Sequence, residues 1–229
     1  TILVRNHELN LGDTPPVDAA RRRPYDAQVA GGTTTLWVDA ERKLVKSFAS
    51  LSGTVRNCAG GSTPWQSWLT AEETTLIPGP GHSVNADVDP GVNERHGYIF
   101  EVDAQSERLM EPVPLKAMGR FRHEAVAVDP RTGDAYLTED RDDGLLYRFR
   151  PDAVTRGTAP SALRVGDYAR GGVLEALRVR ARPRTITNNQ QGEPAIALGR
   201  SYEVDWVRIP DVDPDMDMER SPGDHEGDL

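Results

Sequence analysis

The chain has one cysteine, Cys58, so no internal disulfide can brace it, and cysteine usage says nothing about an oxidising compartment. It has no run of about 18 apolar residues, which excludes a membrane-spanning helix. A Walker-type phosphate loop, a GxSxG nucleophile elbow, an HExxH helix and a CxxC pair are all missing, so the commonest nucleotide, serine-hydrolase, zincin and redox readings lose their support. The chain opens Thr1-Ile2-Leu3-Val4, with neither an initiator Met nor a basic stretch of the kind that begins a signal peptide. Basic residues are in deficit. The 27 Lys and Arg against 36 Asp and Glu leave a formal charge of −9, which argues against a nucleic-acid surface. An acidic surplus is what a hard cation needs, although for net charge alone simple solubility is the better explanation.

The chain does have strands. At 229 residues it can bury one substantial core. Ile2-Leu3-Val4, Thr33 to Asp39, Gly97 to Asp103, Ala125 to Asp129, Ala135 to Asp140 and Leu145 to Phe149 are β-branched, aromatic or alternating, and Gly, Asp and Pro turns separate several of them. A loose phrase recurs around Asp39, Asp103 and Asp129: an apolar strand ends in Asp, turns, and is followed by a second strand. We read it as a degenerate blade repeat of a β-propeller; a sandwich or open barrel would give similar strands. Val173 to Val179 reads as either a helical turn or a strand. From about Asp205 the sequence becomes acidic and proline-broken, so residues 1–204 are expected to form the domain and 205–229 a linker-like end.

The segment Arg56-Asn57-Cys58-Ala59-Gly60-Gly61 and the nearby Glu72-Glu73 combine a thiol, an amide, a glycine pair and two carboxylates. Other acidic groups stand at strand ends: Glu8 after His7, Glu124 after His123, and Glu139-Asp140. A propeller gathers strand ends around its axis, so distant carboxylates can converge there, and converged carboxylates require a cation. Calcium and magnesium prefer oxygen; a thiolate beside carboxylates suits iron or zinc. Cys58 could equally be a small buried hydrophobe. His7 and His123 are expected to hydrogen-bond to backbone or to orient the neighbouring Glu. His82, His96 and His225 lack ligand spacing, Trp65 and Trp68 are expected to pack the core, and Gly79-Pro80-Gly81 is read as a turn.

Several stretches together resemble the PhoX family of alkaline phosphatases, including its shorter actinobacterial-type relatives described as a domain of unknown function. They are Asn6-His7-Glu8, Gly31-Gly32-Thr33-Thr34, Arg56 to Gly61, Thr63-Pro64-Trp65, Trp68 to Glu73, His96 to Asp103, Gly119 to Ala125, Tyr136 to Asp140 and Leu146 to Phe149. The resemblance implies an irregular six-bladed β-propeller, here incomplete, that hydrolyses phosphomonoesters with ferric iron (Fe3+) and Ca2+. Carried over by motif, Cys58 is the iron thiolate and Glu124 an iron-site carboxylate. Asn57 contacts the substrate phosphate, with Arg56 beside it. Glu73, or Glu72, binds calcium or iron, and Glu8, Glu139 and Asp140 are further metal ligands. Asn57, Cys58 and Glu124 thus form the catalytic set.

Two departures accompany the resemblance. Ala71 stands where the family often has cysteine, and an Arg/Pro-Glu-Gly type motif found further along in the family has no match. The expectation is therefore an internal fragment of a longer exported protein, periplasmic or extracellular and monomeric, with a small-molecule phosphomonoester as its partner and little activity alone. Two other functions fit the residues: a noncatalytic, calcium-stabilised propeller used as a binding or scaffold module, and a lactonase-like propeller hydrolase.

Overall fold

In the computed structural model, residues 1–18, 20, 22–79, 88–89, 91–182 and 196–214 are described. Thirteen strands dominate them: β1 (Ile2–His7), β2 (Gly31–Val38), β3 (Leu44–Thr54), β4 (Asn57–Ser62), β5 (Ser67–Glu72), β6 (Ile77–Pro78), β7 (Val88–Asp89), β8 (Ile99–Asp103), β9 (His123–Val128), β10 (Ala135–Glu139), β11 (Leu146–Pro151), β12 (Gly172–Val179) and β13 (Val204–Arg208). The one α-helix among the described residues, α1 (Asp152–Thr155), is a single turn. The all-β class expected from the sequence is therefore what forms, and each strand expected from an apolar or β-branched run is present.

Three antiparallel sheets carry the architecture, ordered β1-β2-β3, β4-β5-β8 and β13-β12-β11-β10-β9; β6 and β7 add a short parallel pair. Strand alternation sends the side chains of the β4-β5-β8 sheet to both of its faces. Leu69, Ala71 and Ile99 join Phe121, Val126, Leu137, Tyr147, Phe149 and Leu174 in the larger core, against the five-stranded sheet. From the other face Phe100 and Val102 meet Leu51 and Val4 of the first sheet. Each such large side chain contributes about 1.5–3 kcal/mol on leaving water, so two cores hold the middle sheet between its neighbours. Trp65 and Trp68 pack against these two cores, as expected.

Val173 to Val179, readable as a helical turn or a strand, lies in β12, because it pairs with β11 on one side and β13 on the other. The boundary placed after residue 204 falls inside β13. Residues 204–208 complete the five-stranded sheet, and the chain beyond them docks on a buried arginine: Arg120 N–H donates to Val212 O, and the Arg120 guanidinium donates to Thr75 O and Pro214 O. Tyr98 OH donates to Asp213 Oδ1 at 2.6 Å. These partners were not visible in the sequence because the acidic, proline-broken composition looks the same whether or not a cation waits for it. Residues 215–229, with His225, lie outside the described residues, as do His82 and Pro80-Gly81.

Candidate metal centre

The ends of the three sheets meet at one place. Glu8 follows β1, Cys58 lies in β4, Glu73 follows β5, Glu124 lies in β9 and Asp140 follows β10. Ligand atoms of Glu8, Cys58 and Glu73 lie within 4.8 Å of one another, and so do those of Glu73, Glu124 and Asp140. Glu73 belongs to both groups. Five of the seven expected metal ligands are thus brought together from residues 8 to 140.

The other two, Glu72 and Glu139, are not. Neighbours in an extended chain point to opposite sides, so an acidic pair can send one member to a given site. Glu72 turns inward and is fully buried. Its Oε1 accepts from Val55 N–H at 3.0 Å and from His96 Nδ1–H at 2.8 Å, and its Oε2 accepts from the Gly97 and Tyr98 N–H groups. Glu139 accepts from Leu145 N–H and Tyr147 OH, both through Oε2. In each pair the second residue reaches the cluster and the first braces a loop.

Cys58 is aimed by a bulge. Asn57 pairs with Glu72 and Gly60 with Thr70, so β4 carries one residue more than β5 across this interval. Asn6 Nδ2 supplies donors to the Cys58 and Ala59 carbonyls, at 3.1 and 2.5 Å. Its Oδ1 accepts from Trp68 Nε1–H and Thr70 OH. Thr70 Oγ1 accepts in turn from Asn57 Nδ2–H, and Asn57 Oδ1 accepts from Thr54 OH at 2.6 Å. Every donor in this relay has an acceptor. In the same relay the Asn57 amide is wholly buried and engaged at both ends by threonines, next to the bulge that carries Cys58. Gly60, at φ +132°, and Gly61 let β4 approach its neighbours; a Cβ would strike Leu69 O at the first and Val126 O of β9 at the second.

The electrostatics are those of converged acidic groups. Burial, the Glu124 hydrogen bond and the charges of Glu124, Glu73 and Glu8 push the Cys58 thiol up to about 12. Its Sγ–H donates to Glu124 Oε1 at 3.4 Å. Burial, an Asp140 hydrogen bond and the nearby carboxylates raise Glu73 to about 7, with Arg56 acting in the opposite sense. The donor set fits metals by its chemistry: one group offers a thiol and two carboxylates, the other three carboxylates. Beside them lies a cavity of about 290 Å³ lined by Asn10, Leu11, Val55, Arg56, Thr74, Leu76 and Arg122. Arg56 Nη2 lies 3.5 Å from Glu73 Oε2, and Arg122 O accepts from Asp140 N–H. Sequence reading missed Arg122; its signal was its place two residues before Glu124.

The histidines stay outside the cluster. His7 Nε2 lies 2.9 Å from Thr34 Oγ1, a side-chain partner where backbone was expected. His123 is fully buried and donates from Nε2 to Gly119 O, the backbone bond expected of it; burial lowers it to about 3. His96, expected to be incidental, is instead a buried cation between Glu72 and Asp26, whose Oδ2 lies 3.5 Å from Nε2. Burial alone would lower its pKa, but the charge of Glu72 and the contacts with both acids raise it to about 9.

The structure is similar to that of Pseudomonas fluorescens PhoX in complex with vanadate, a transition state analogue, with a TM-score of 0.50 and 17% identity. The match covers 90% of this chain and 46% of that one, so the chain spans about half the length of that protein. At this identity the likeness is one of fold. No curated protein matches the chain. The family described as Alkaline phosphatase PhoX matches residues 1–225, and the chain belongs to that family.

Proposed function

We propose that this chain forms the metal- and phosphate-binding part of a phosphomonoester hydrolase. The observation that carries the reading is the convergence of Cys58, Glu8, Glu73, Glu124 and Asp140 at the ends of three sheets, beside a cavity with two arginines. Cys58 and Glu124, whose Oε1 lies 3.4 Å from Sγ, with Glu8 and Glu73, would hold ferric iron, for which a thiolate is a fitting ligand. Glu73, Glu124 and Asp140 offer only oxygen and suit Ca2+. Such ions, when bound, supply Lewis-acid polarisation of a phosphoryl group and screening of its charge.

The chain's own residues do the rest. Glu124 Oε1 already receives the Cys58 S–H bond, so the thiol proton has a carboxylate to leave by when Cys58 becomes a ligand. Arg56 and Arg122 give the cavity the fork-shaped donors that phosphate oxygens accept, which favours a phosphoester over a lactone or a neutral ester. Family membership favours export to the periplasm or beyond, and we read the protein as a monomer.

The test is binding of the reaction product. Inorganic phosphate titrated calorimetrically into the chain loaded with iron and calcium should bind, and chelation should abolish that binding. Phosphate binding that survives chelation, or none to the loaded chain, contradicts the proposal.

A further inference from the structure

Arg56 is held in a conformation that its side chain does not choose. Its φ is +47°, in the left-handed region that residues with a Cβ seldom occupy. Two backbone bonds fix it there: its N–H donates to Leu9 O at 2.9 Å, and its carbonyl accepts from Glu73 N–H at 3.0 Å. The side chain is thereby laid along Glu73 at the mouth of the cavity. Yet the contact it makes is slack. Nη2 stands 3.5 Å from Glu73 Oε2, long for a charge-assisted hydrogen bond, and among the described residues the buried Nε has no acceptor. A guanidinium with five donors is thus committed weakly to a carboxylate shared by both metal groups, and it lines the space an anion would enter.

We infer that Arg56 is an exchanging counter-ion: it lies against Glu73 while the centre is empty and turns to the phosphate dianion when cations take over Glu73. This rests on the metal- and phosphate-binding reading above and adds an order to it, metal before phosphate. The two requirements oppose each other at Arg56. A cation on Glu73 repels the guanidinium, and an anion in the cavity draws it away. Metal and phosphate therefore help each other to bind through this side chain, and by linkage the help is mutual.

The opposition gives a test that activity would not. Calcium is titrated into the metal-stripped full chain, and inorganic phosphate into the calcium-saturated chain, for wild type, Arg56→Gln and Arg56→Lys. In Arg56→Gln, phosphate binding should weaken at least tenfold, while calcium binding without phosphate should tighten by about twofold to fivefold at low salt, the range expected of a half-exposed ion pair. Arg56→Lys, which keeps the charge, should bind calcium as wild type does. If Arg56→Gln binds calcium more weakly with its fold intact, Arg56 merely props Glu73 and the inference is overturned. Unchanged phosphate affinity overturns it too. Should Arg56→Gln fail to fold, weakened calcium binding by folded Arg56→Lys overturns the inference in its place, and wild-type affinity upholds it. A wild-type chain that takes up no calcium sinks the metal-centre reading itself, before any variant is compared.

Discussion

At Cys58 and Glu73 the protein stores protons on groups that could hold a cation. Both groups are raised, the thiol to about 12 and the carboxyl to about 7, chiefly by burial and then by one another's acidic neighbours. Metal uptake must therefore release protons. Because the folded, metal-free chain keeps a proton on Glu73 above the ordinary carboxylate range, the stability linked to that group is complete below about pH 4.5 and is lost as pH rises through about 7. A bound cation removes the penalty. The melting temperature of the calcium-loaded chain minus that of the stripped chain should accordingly widen from about pH 5 to about pH 8, as followed by thermal scanning. A gap that narrows contradicts the assignment. Asn6 is the second residue to probe. Asn6→Ala strands two carbonyls of the Cys58 bulge and the donors of Trp68 and Thr70, so it should cost about 3 kcal/mol in a denaturant titration and weaken metal binding as Cys58 loses its aim.

Among the elements, the β4-β5 hairpin decides the site, since it carries Cys58 in its bulge and ends at Glu73. Its approach to β9 depends on Gly61, where a Cβ would collide with Val126 O. Gly61→Ala should force β4 from β9, separate Cys58 from Glu124, cost about 2 kcal/mol and lower iron binding at least tenfold by metal titration. An Ala variant with wild-type affinity would show that the two strands can part without opening the cluster.

This hairpin also shows what the sequence makes legible. β1, β2, β8, β9, β10 and β11 announce themselves because their apolar or β-branched residues pack a core. β4 is Asn-Cys-Ala-Gly-Gly-Ser, with no large apolar or β-branched residue, and tertiary pairing makes it a strand. The ligand residues were legible as types and positions. Which member of each acidic pair faces the site was not, because that depends on the sheet's register. The engagement of the Asn57 amide by Thr54 and Thr70 was hidden for the same reason.

Over the whole molecule, the three sheets are tied by buried charge as well as by apolar cores. His96, Glu72 and Asp26 are each almost completely buried and link the loops that lead to Glu73. His96 titrates at about 9 in the fold against an ordinary 6.5, so its contribution is full below about pH 6.5 and is lost as pH rises through about 9. His96→Gln leaves two buried carboxylates without their cation and should cost about 3 kcal/mol or more at neutral pH, with the deficit shrinking in alkaline buffer. A deficit independent of pH would mean that His96 packs and carries no charge.

The central claim is that a thiolate and carboxylates from three sheets bind iron and calcium together. Metal analysis with a visible absorption spectrum, on the loaded wild-type chain beside Cys58→Ala, tests it most directly. Iron and calcium are expected in the wild type, with a thiolate-to-iron charge-transfer band that disappears in Cys58→Ala. Calcium alone, or iron with a spectrum indifferent to Cys58→Ala, would contradict it.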